Sequence, residues 1–332
     1  MISDFGTTDD GRKVSLITLR SAGIECTAID LGCSLCSLTV PDRDGVMRDV
    51  LLGYDDPDSY LHNGGHFGGV IGRYANRIRE GRLPIGNEVH QLSLNRGGNH
   101  MHGGFNAFDK RIWHIVEHTD DRVVFELDDP DGSEGYPGNL HVRCEYALSE
   151  GKLTAVYSAV SDEDTVCNMI NHAYFNLGKS GDITDHTVEL DSDMYTELDG
   201  DSLPTGVMKV VSGVTDLRDP TPLADMPEKG YDCNWAVRGY DGTLRHAASA
   251  WCDSTGIRLD VSTNMPGIQF YTGNGIKEGT AGKNGAVYGR WSGLCLETQH
   301  YPDAPNHPEF PSALLRKGEV YRHVTEYRFS VF

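Results

Sequence analysis

The sequence predicts an all-β fold, a large antiparallel β-sandwich with a few short helices, and three observations carry that expectation. Alternating apolar and polar residues recur along the 332-residue chain, at 14–19, 89–94, 123–127, 153–160 and 257–261, and a period of two belongs to strands with one buried face. Turn-forming clusters separate the β-prone runs: Pro-Asp-Arg-Asp-Gly at 41–45, Ile-Gly-Asn-Glu at 85–88, Asp-Asp-Arg at 120–122, Ser-Glu-Gly-Lys at 149–152 and Tyr-Asp-Gly at 240–242. Gly, Asn and Asp there supply the backbone freedom that hairpin loops need, and consecutive hairpins make antiparallel sheet. Finally, apolar residues at i, i+3, i+4 and i+7 are scarce, while 39 Gly and 14 Pro interrupt helices. Short helices are expected only near 57–61 and 311–315.

A chain of this length accommodates one large β domain or two ordinary ones. There is no Gly/Ser-rich or Pro-rich linker, low-complexity tract or internal repeat, so a single domain over residues 1–332 is the economical expectation.

Charge narrows the partners. Asp plus Glu number 49 against 29 Lys plus Arg, a formal net charge of −20, and no basic run offsets the repulsion of a phosphate backbone or an anionic membrane. The expected partner is a neutral small molecule, with neither nucleic acid nor membrane. The N-terminal segment is polar and acidic, unlike a secretory signal, and no run of apolar residues is long enough to span a bilayer. A soluble, cytoplasmic protein is expected. The eight cysteines (Cys26, Cys33, Cys36, Cys144, Cys167, Cys233, Cys252 and Cys295) are scattered among apolar residues, as buried reduced thiols are. Cys33 and Cys36 form a lone CxxC without the second pair of a zinc ribbon.

Five segments concentrate polar residues beyond what strands need. In Gly-Gly-Val-Ile-Gly-Arg-Tyr-Ala-Asn-Arg-Ile at 68–78, glycines let backbone approach a ligand and Arg73, Asn76 and Arg77 offer donors to hydroxyls, with a structural salt bridge the alternative for one arginine. The segment lacks the ending of a P-loop, and no GxGxxG occurs. Asn-His-Met-His-Gly-Gly at 99–104 holds an HxH spacing that would place two imidazoles on one strand face, but no carboxylate follows to complete a metal set; His102 beside paired glycines reads better as a donor in an open pocket. His172 lies in Asn-His-Ala-Tyr-Phe-Asn-Leu at 171–177, among aromatics that suit a sugar-sized cleft. Asp232 and Gln269, from 231–235 and 266–274, are candidate hydroxyl ligands, although Asp232 could simply close a turn. Glu297 follows the apolar Leu294-Cys295-Leu296, and burial there would raise its pKa toward the range of a general base. Serine-hydrolase and zincin signatures are missing, which leaves a carboxylate and a histidine.

These five segments together, with the 40–45 hairpin and the ending Leu-Arg-Lys-Gly-Glu at 315–319, resemble the aldose 1-epimerase (galactose mutarotase) family over essentially the whole chain. The resemblance implies a galactose mutarotase-like supersandwich and an isomerase that interconverts anomers of free hexoses without metal or organic cofactor. It implies Glu297 as general base, His172 as general acid, His102 as a catalytic assistant at the ring oxygen or a neighbouring hydroxyl, and Asn76, Arg77, Asp232 and Gln269 as substrate ligands. On this view Glu297 is a carboxylate and His172 an imidazolium near neutral pH. Two departures stand out. Cys233 replaces the histidine usual after the aspartate, a change expected to bear on the cleft wall and hexose preference, and Ala107 replaces a glycine before Phe108-Asp109-Lys110. Phe105, Tyr271 and Trp291 are candidates for stacking on the sugar. The alternatives are a hexose 6-phosphate 1-epimerase-like enzyme, a non-catalytic sugar-binding or sensing protein and, third, a metal-dependent β-barrel isomerase.

Overall fold

The computed structural model describes residues 1–62 and 64–332. Four of the five alternating segments lie inside strands: Lys13–Ser21, Arg122–Asp129, Lys152–Ser161 and Ile257–Thr263. The fifth is shorter than its pattern, Glu88–Gln91. Beyond Gln91 the backbone changes partners, since the Leu92 N–H donates to Gly81 O and the Ser93 N–H to Glu134 O, so no single ladder continues.

The helix Pro57–His62 forms, with the Asp56 carboxylate accepting the Ser59 N–H at 2.8 Å ahead of its first turn. The helix expected at 311–315 does not form. Leu314–Leu315 is instead a short strand paired with Thr165–Val166. Burial of Ala313 and Leu315, with Leu314 between them only partly covered, follows the period of a strand, and tertiary pairing overrides local helix propensity.

The largest sheet has nine strands in the spatial order His114–His118, Arg122–Asp129, Leu140–Ser149, Lys152–Ser161, Val320–Val331, Ile257–Thr263, Arg245–Cys252, His186–Leu190 and Thr221–Pro222. All its pairings are antiparallel. The C-terminal strand joins the two halves by pairing with Lys152–Ser161 on one side and Ile257–Thr263 on the other. A second sheet orders Pro204–Val210, Met194–Leu198, Asp232–Ala236, Gly267–Tyr271 and Cys295–Gln299, and a third is built from N-terminal hairpins between residues 2 and 49. Side chains from all three, among them Ile17, Phe125, Tyr157, Trp235, Phe270 and Leu296, join one buried cluster. Each large apolar side chain so buried contributes about 1.5–3 kcal/mol.

Arg73 belongs to this interior, 1% exposed. Its guanidinium donates twice to Asp129 Oδ2, at 2.9 and 2.7 Å, and to the carbonyls of Pro137 and Gly138, so it is a structural ion pair rather than a hydroxyl donor. The nearby glycines also serve packing: a Cβ on Gly68 would fall on the Leu35 carbonyl oxygen. All eight cysteines are free, and all but Cys233 are buried. Burial pushes the Cys36 thiol up to about 12, unlike the low pKa of a redox or metal-binding thiolate. Among the described residues no helix is long and apolar enough to cross a membrane.

Candidate functional site

Three neighbouring strands supply the carboxylate side of a cleft. Gln269 on Gly267–Tyr271 is the direct cross-strand partner of Glu297 on Cys295–Gln299, so the two side chains share a sheet face. Asp232 begins the adjoining strand Asp232–Ala236, and the Gln269 amide donates to its Oδ1 at 2.6 Å. Glu297 and Gln269 are 2% and 4% exposed, whereas Asp232 sits at the open rim.

The opposite wall comes from the short antiparallel pair Arg77–Ile78 and His100–Met101. Asn76 and His102 flank it with left-handed backbones, φ 63° and 50°, a conformation that costs non-glycine residues energy and often marks functional sites. They bind each other reciprocally: the His102 N–H donates to Asn76 O at 2.9 Å and the Asn76 N–H to His102 Nδ1 at 3.1 Å. With Nδ1 an acceptor, neutral His102 carries its proton on Nε2. Gly103 then passes so close to the Gly72 carbonyl oxygen that a Cβ would fall on it. His172 follows the strand pair Ile170–Asn171 with Val70–Ile71, and its backbone N–H and C=O bond to Gly69 and Gly68.

All seven expected site residues, Asn76, Arg77, His102, His172, Asp232, Gln269 and Glu297, line one cleft of about 650 Å³. His172 Nε2 is 3.8 Å from Glu297 Oε1. Arg77 reaches Asn76 Oδ1 at 3.3 Å and stands 4.0 Å from Asp232. Two buried acceptors of this cleft have no protein partner among the described residues, Glu297 Oε2 and Gln269 Oε1. Unsatisfied buried acceptors carry a desolvation cost that a hydroxylated ligand would relieve.

Protonation differs from the sequence expectation of a charged pair. Burial, reinforced by the Asp232 charge and opposed by Arg77, holds the Glu297 carboxyl well above the carboxylate range. Burial and then the neighbouring His66 push His172 down to about 3. The dry pair therefore favours a protonated Glu297 and a neutral His172. The proton count equals that of the carboxylate–imidazolium pair, with the proton on the other partner.

The sequence model of the aldose 1-epimerase family matches residues 15–328. The chain belongs to the aldose 1-epimerase family. The galactose mutarotase of Mus musculus is 43% identical over 333 residues, covering 97% of this chain and 95% of the relative. The aldose 1-epimerase of Escherichia coli K12 is 37% identical over 334 residues, covering 96% of each. The crystal structure of an aldose epimerase homologue from C. elegans superimposes with a TM-score of 0.90 at 27% identity, covering 96% of this chain and 99% of that one.

In this aldose 1-epimerase the two departures from the family pattern lie off the cleft. Cys233 points its Sγ to the Thr196 carbonyl at 3.4 Å and is not a lining residue, which corrects the expectation that it alters the wall: on a strand it faces away from its neighbour Asp232. Ala107 is buried with φ −64°, a conformation that does not require glycine. Of the aromatic candidates Tyr271 lines the cleft, Phe105 is 68% exposed outside it, and Trp291 donates its indole N–H to Asn274. The HxH spacing does not place two imidazoles together. His100 is buried against the Ser93 carbonyl and the Tyr136 hydroxyl, at 2.8 and 2.6 Å, and only His102 opens to the cleft.

His172, Cys295 and Glu297 approach a metal-ligand grouping, their ligand atoms within 4.8 Å of one another. Cys295 faces Nδ1 of the imidazole and Glu297 faces Nε2, however, and burial raises the thiol well above its ordinary value. The three fit a shared ion poorly. Sequence reading missed several lining residues with chemistry, among them His66, Asn95, Arg96 and Lys277. The one available signal for His66 was a histidine set between the paired glycines 64–65 and 68–69.

Proposed function

We propose that the cleft interconverts the α and β anomers of a free aldohexose, galactose or glucose, with Glu297 and His172 as its proton-transfer pair. The observation that carries this reading is the 3.8 Å approach of His172 Nε2 to Glu297 Oε1 inside a cleft otherwise lined by hydroxyl-binding groups. Glu297 takes the proton of the anomeric hydroxyl while His172 gives one to the ring oxygen. The bond from the anomeric carbon to the ring oxygen breaks, a carbonyl forms, rotation about the adjacent carbon–carbon bond exposes the other face, and the reverse transfers close the ring. No external nucleophile or redox partner enters the balance.

The pair reaches its working carboxylate–imidazolium form when the proton moves from Glu297 to His172, a transfer that burial opposes at both residues, and ring opening returns the pair to its neutral form. His102 offers its Nε2–H to the ring oxygen or a neighbouring hydroxyl. Asn76, Arg77, Asp232 and Gln269 hold the remaining hydroxyls, with the free Gln269 Oε1 and Glu297 Oε2 as acceptors waiting for O–H donors. One buried cluster running from Ile17 to Phe329 supports a single unit over residues 1–332, and eight free cysteines support a reducing, cytoplasmic setting.

Decay of the optical rotation of fresh α-D-galactose tests the function. Acceleration by catalytic amounts of protein, retained after chelator treatment, is expected. A spontaneous rate with free hexoses and acceleration only with glucose 6-phosphate would move the substrate to the phosphorylated class.

A further inference from the structure

We propose that His66 is a further sugar-binding residue, presenting Nε2 to a substrate hydroxyl from a ring that the buried carboxylate of Asp109 holds by Nδ1. The inference rests on the sugar reading of the cleft given above. His66 lines that cleft, and its side chain is 23% exposed. Its ring lies 5.1 Å from that of His102 and 5.9 Å from that of His172, centroid to centroid, so a sugar seated against those two imidazoles is within reach of the third.

Three features distinguish His66 from an incidental wall residue. Its backbone is left-handed, φ 55°, a cost in any non-glycine residue, and it shares this with Asn76 and His102 of the same cleft. Its Nδ1 is 2.7 Å from Asp109 Oδ2, and Asp109 is 3% exposed with Lys110 Nζ 3.2 Å away. Against the burial that opposes it, the interactions with His66 and Lys110 hold the Asp109 carboxyl down at about 2, so Asp109 is an acceptor and the bridging proton sits on Nδ1. Nε2, meanwhile, has no hydrogen-bond partner among the described residues, on a ring that lines the cleft.

The tautomers then differ in use. Asn76 forces neutral His102 to present a donor, whereas Asp109 forces neutral His66 to present an acceptor. Two neighbouring imidazoles of opposite polarity can distinguish the orientation of a hydroxyl, a basis for choosing among hexoses. Asp109 acts through His66 and is a positioning residue.

The test measures kcat and KM of the wild type, His66→Phe, His66→Gln and Asp109→Asn on D-galactose and its 2-, 3-, 4- and 6-deoxy analogues. In the wild type one deoxy sugar should lose about 10-fold in kcat/KM, the scale of one hydrogen bond. His66→Phe should raise KM for galactose by about 10-fold with kcat changed much less, and should treat galactose and that deoxy sugar alike. His66→Gln, which keeps an acceptor, should recover part of the discrimination, and Asp109→Asn should weaken it. Nitrogen-15 spectra of the wild type should show His66 protonated on Nδ1, with Nε2 shifting when galactose is added. Wild-type KM and deoxy-sugar pattern in His66→Phe, or an Nε2 resonance indifferent to galactose, would overturn the proposal. Wild-type protein that binds galactose through Nε2 without accelerating mutarotation would instead remove the epimerase reading and leave His66 in place.

Discussion

His172 Nε2 and Glu297 Oε1 face each other at 3.8 Å, with side chains 6% and 3% exposed, and burial favours the neutral form of both. The protonation of the pair is therefore coupled to stability. Burial raises the Glu297 pKa in the fold, so its contribution is complete below the ordinary carboxyl value of 4.5 and is lost as pH rises toward its folded value. Glutamine cannot ionise, so the stability of Glu297→Gln relative to wild type should rise as the pH is raised above 4.5 in urea unfolding. For His172 the sign reverses. Its contribution is complete above 6.5 and is lost as pH falls toward about 3, so His172→Asn should gain on the wild type over that window. Differences independent of pH would contradict both.

Asp232 raises the Glu297 pKa through its charge, and its rim position leaves room for substitution without a core cavity. Asp232→Asn should move the limb of the kcat/KM profile governed by Glu297 ionisation to lower pH, besides weakening sugar binding. An unmoved limb would show that the two carboxylates do not communicate.

Arg77 touches Asn76 and approaches Asp232 in the cleft. Arg77→Ala should raise KM by about 10-fold with a smaller change in kcat, as expected when binding to substrate and transition state is lost equally. Steady-state polarimetry over a range of galactose concentrations reads the two constants separately, and an equal fall of kcat and kcat/KM would instead assign Arg77 to the transition state.

Arg73, four residues before Arg77 in the same motif, has another task. Removing it leaves Asp129 buried with only Arg111 beside it. Arg73→Ala should cost about 3–5 kcal/mol in denaturant unfolding. A loss below about 1 kcal/mol would mean that Arg111 and water replace it.

The fold was legible where burial repeats locally. The alternation at 123–127 and 153–160 and the hairpin turns 120–122 and 149–152 predicted adjacent strands of the nine-stranded sheet, because neighbouring strands there are also neighbours in sequence. Residues 311–315 were misread because their strand pairs with Thr165–Val166, a partner no local pattern announces. The site was legible as residue types gathered in five segments. Arg73 and Arg77 look alike in one glycine-rich motif, and only the distant Asp129 separates the structural arginine from the cleft arginine. His66 escaped for the same reason: its carboxylate partner Asp109 stands 43 positions away.

The central claim is that Glu297 removes the anomeric proton, and the most direct test is turnover of Glu297→Gln beside wild type, by polarimetry or NMR exchange between the anomers of galactose at saturating sugar. Loss of one general base predicts a fall in kcat of at least about 10²-fold, roughly 3 kcal/mol of barrier, in a variant that still folds and binds the sugar. Turnover within a few-fold of wild type would contradict the account and require another group to carry the proton.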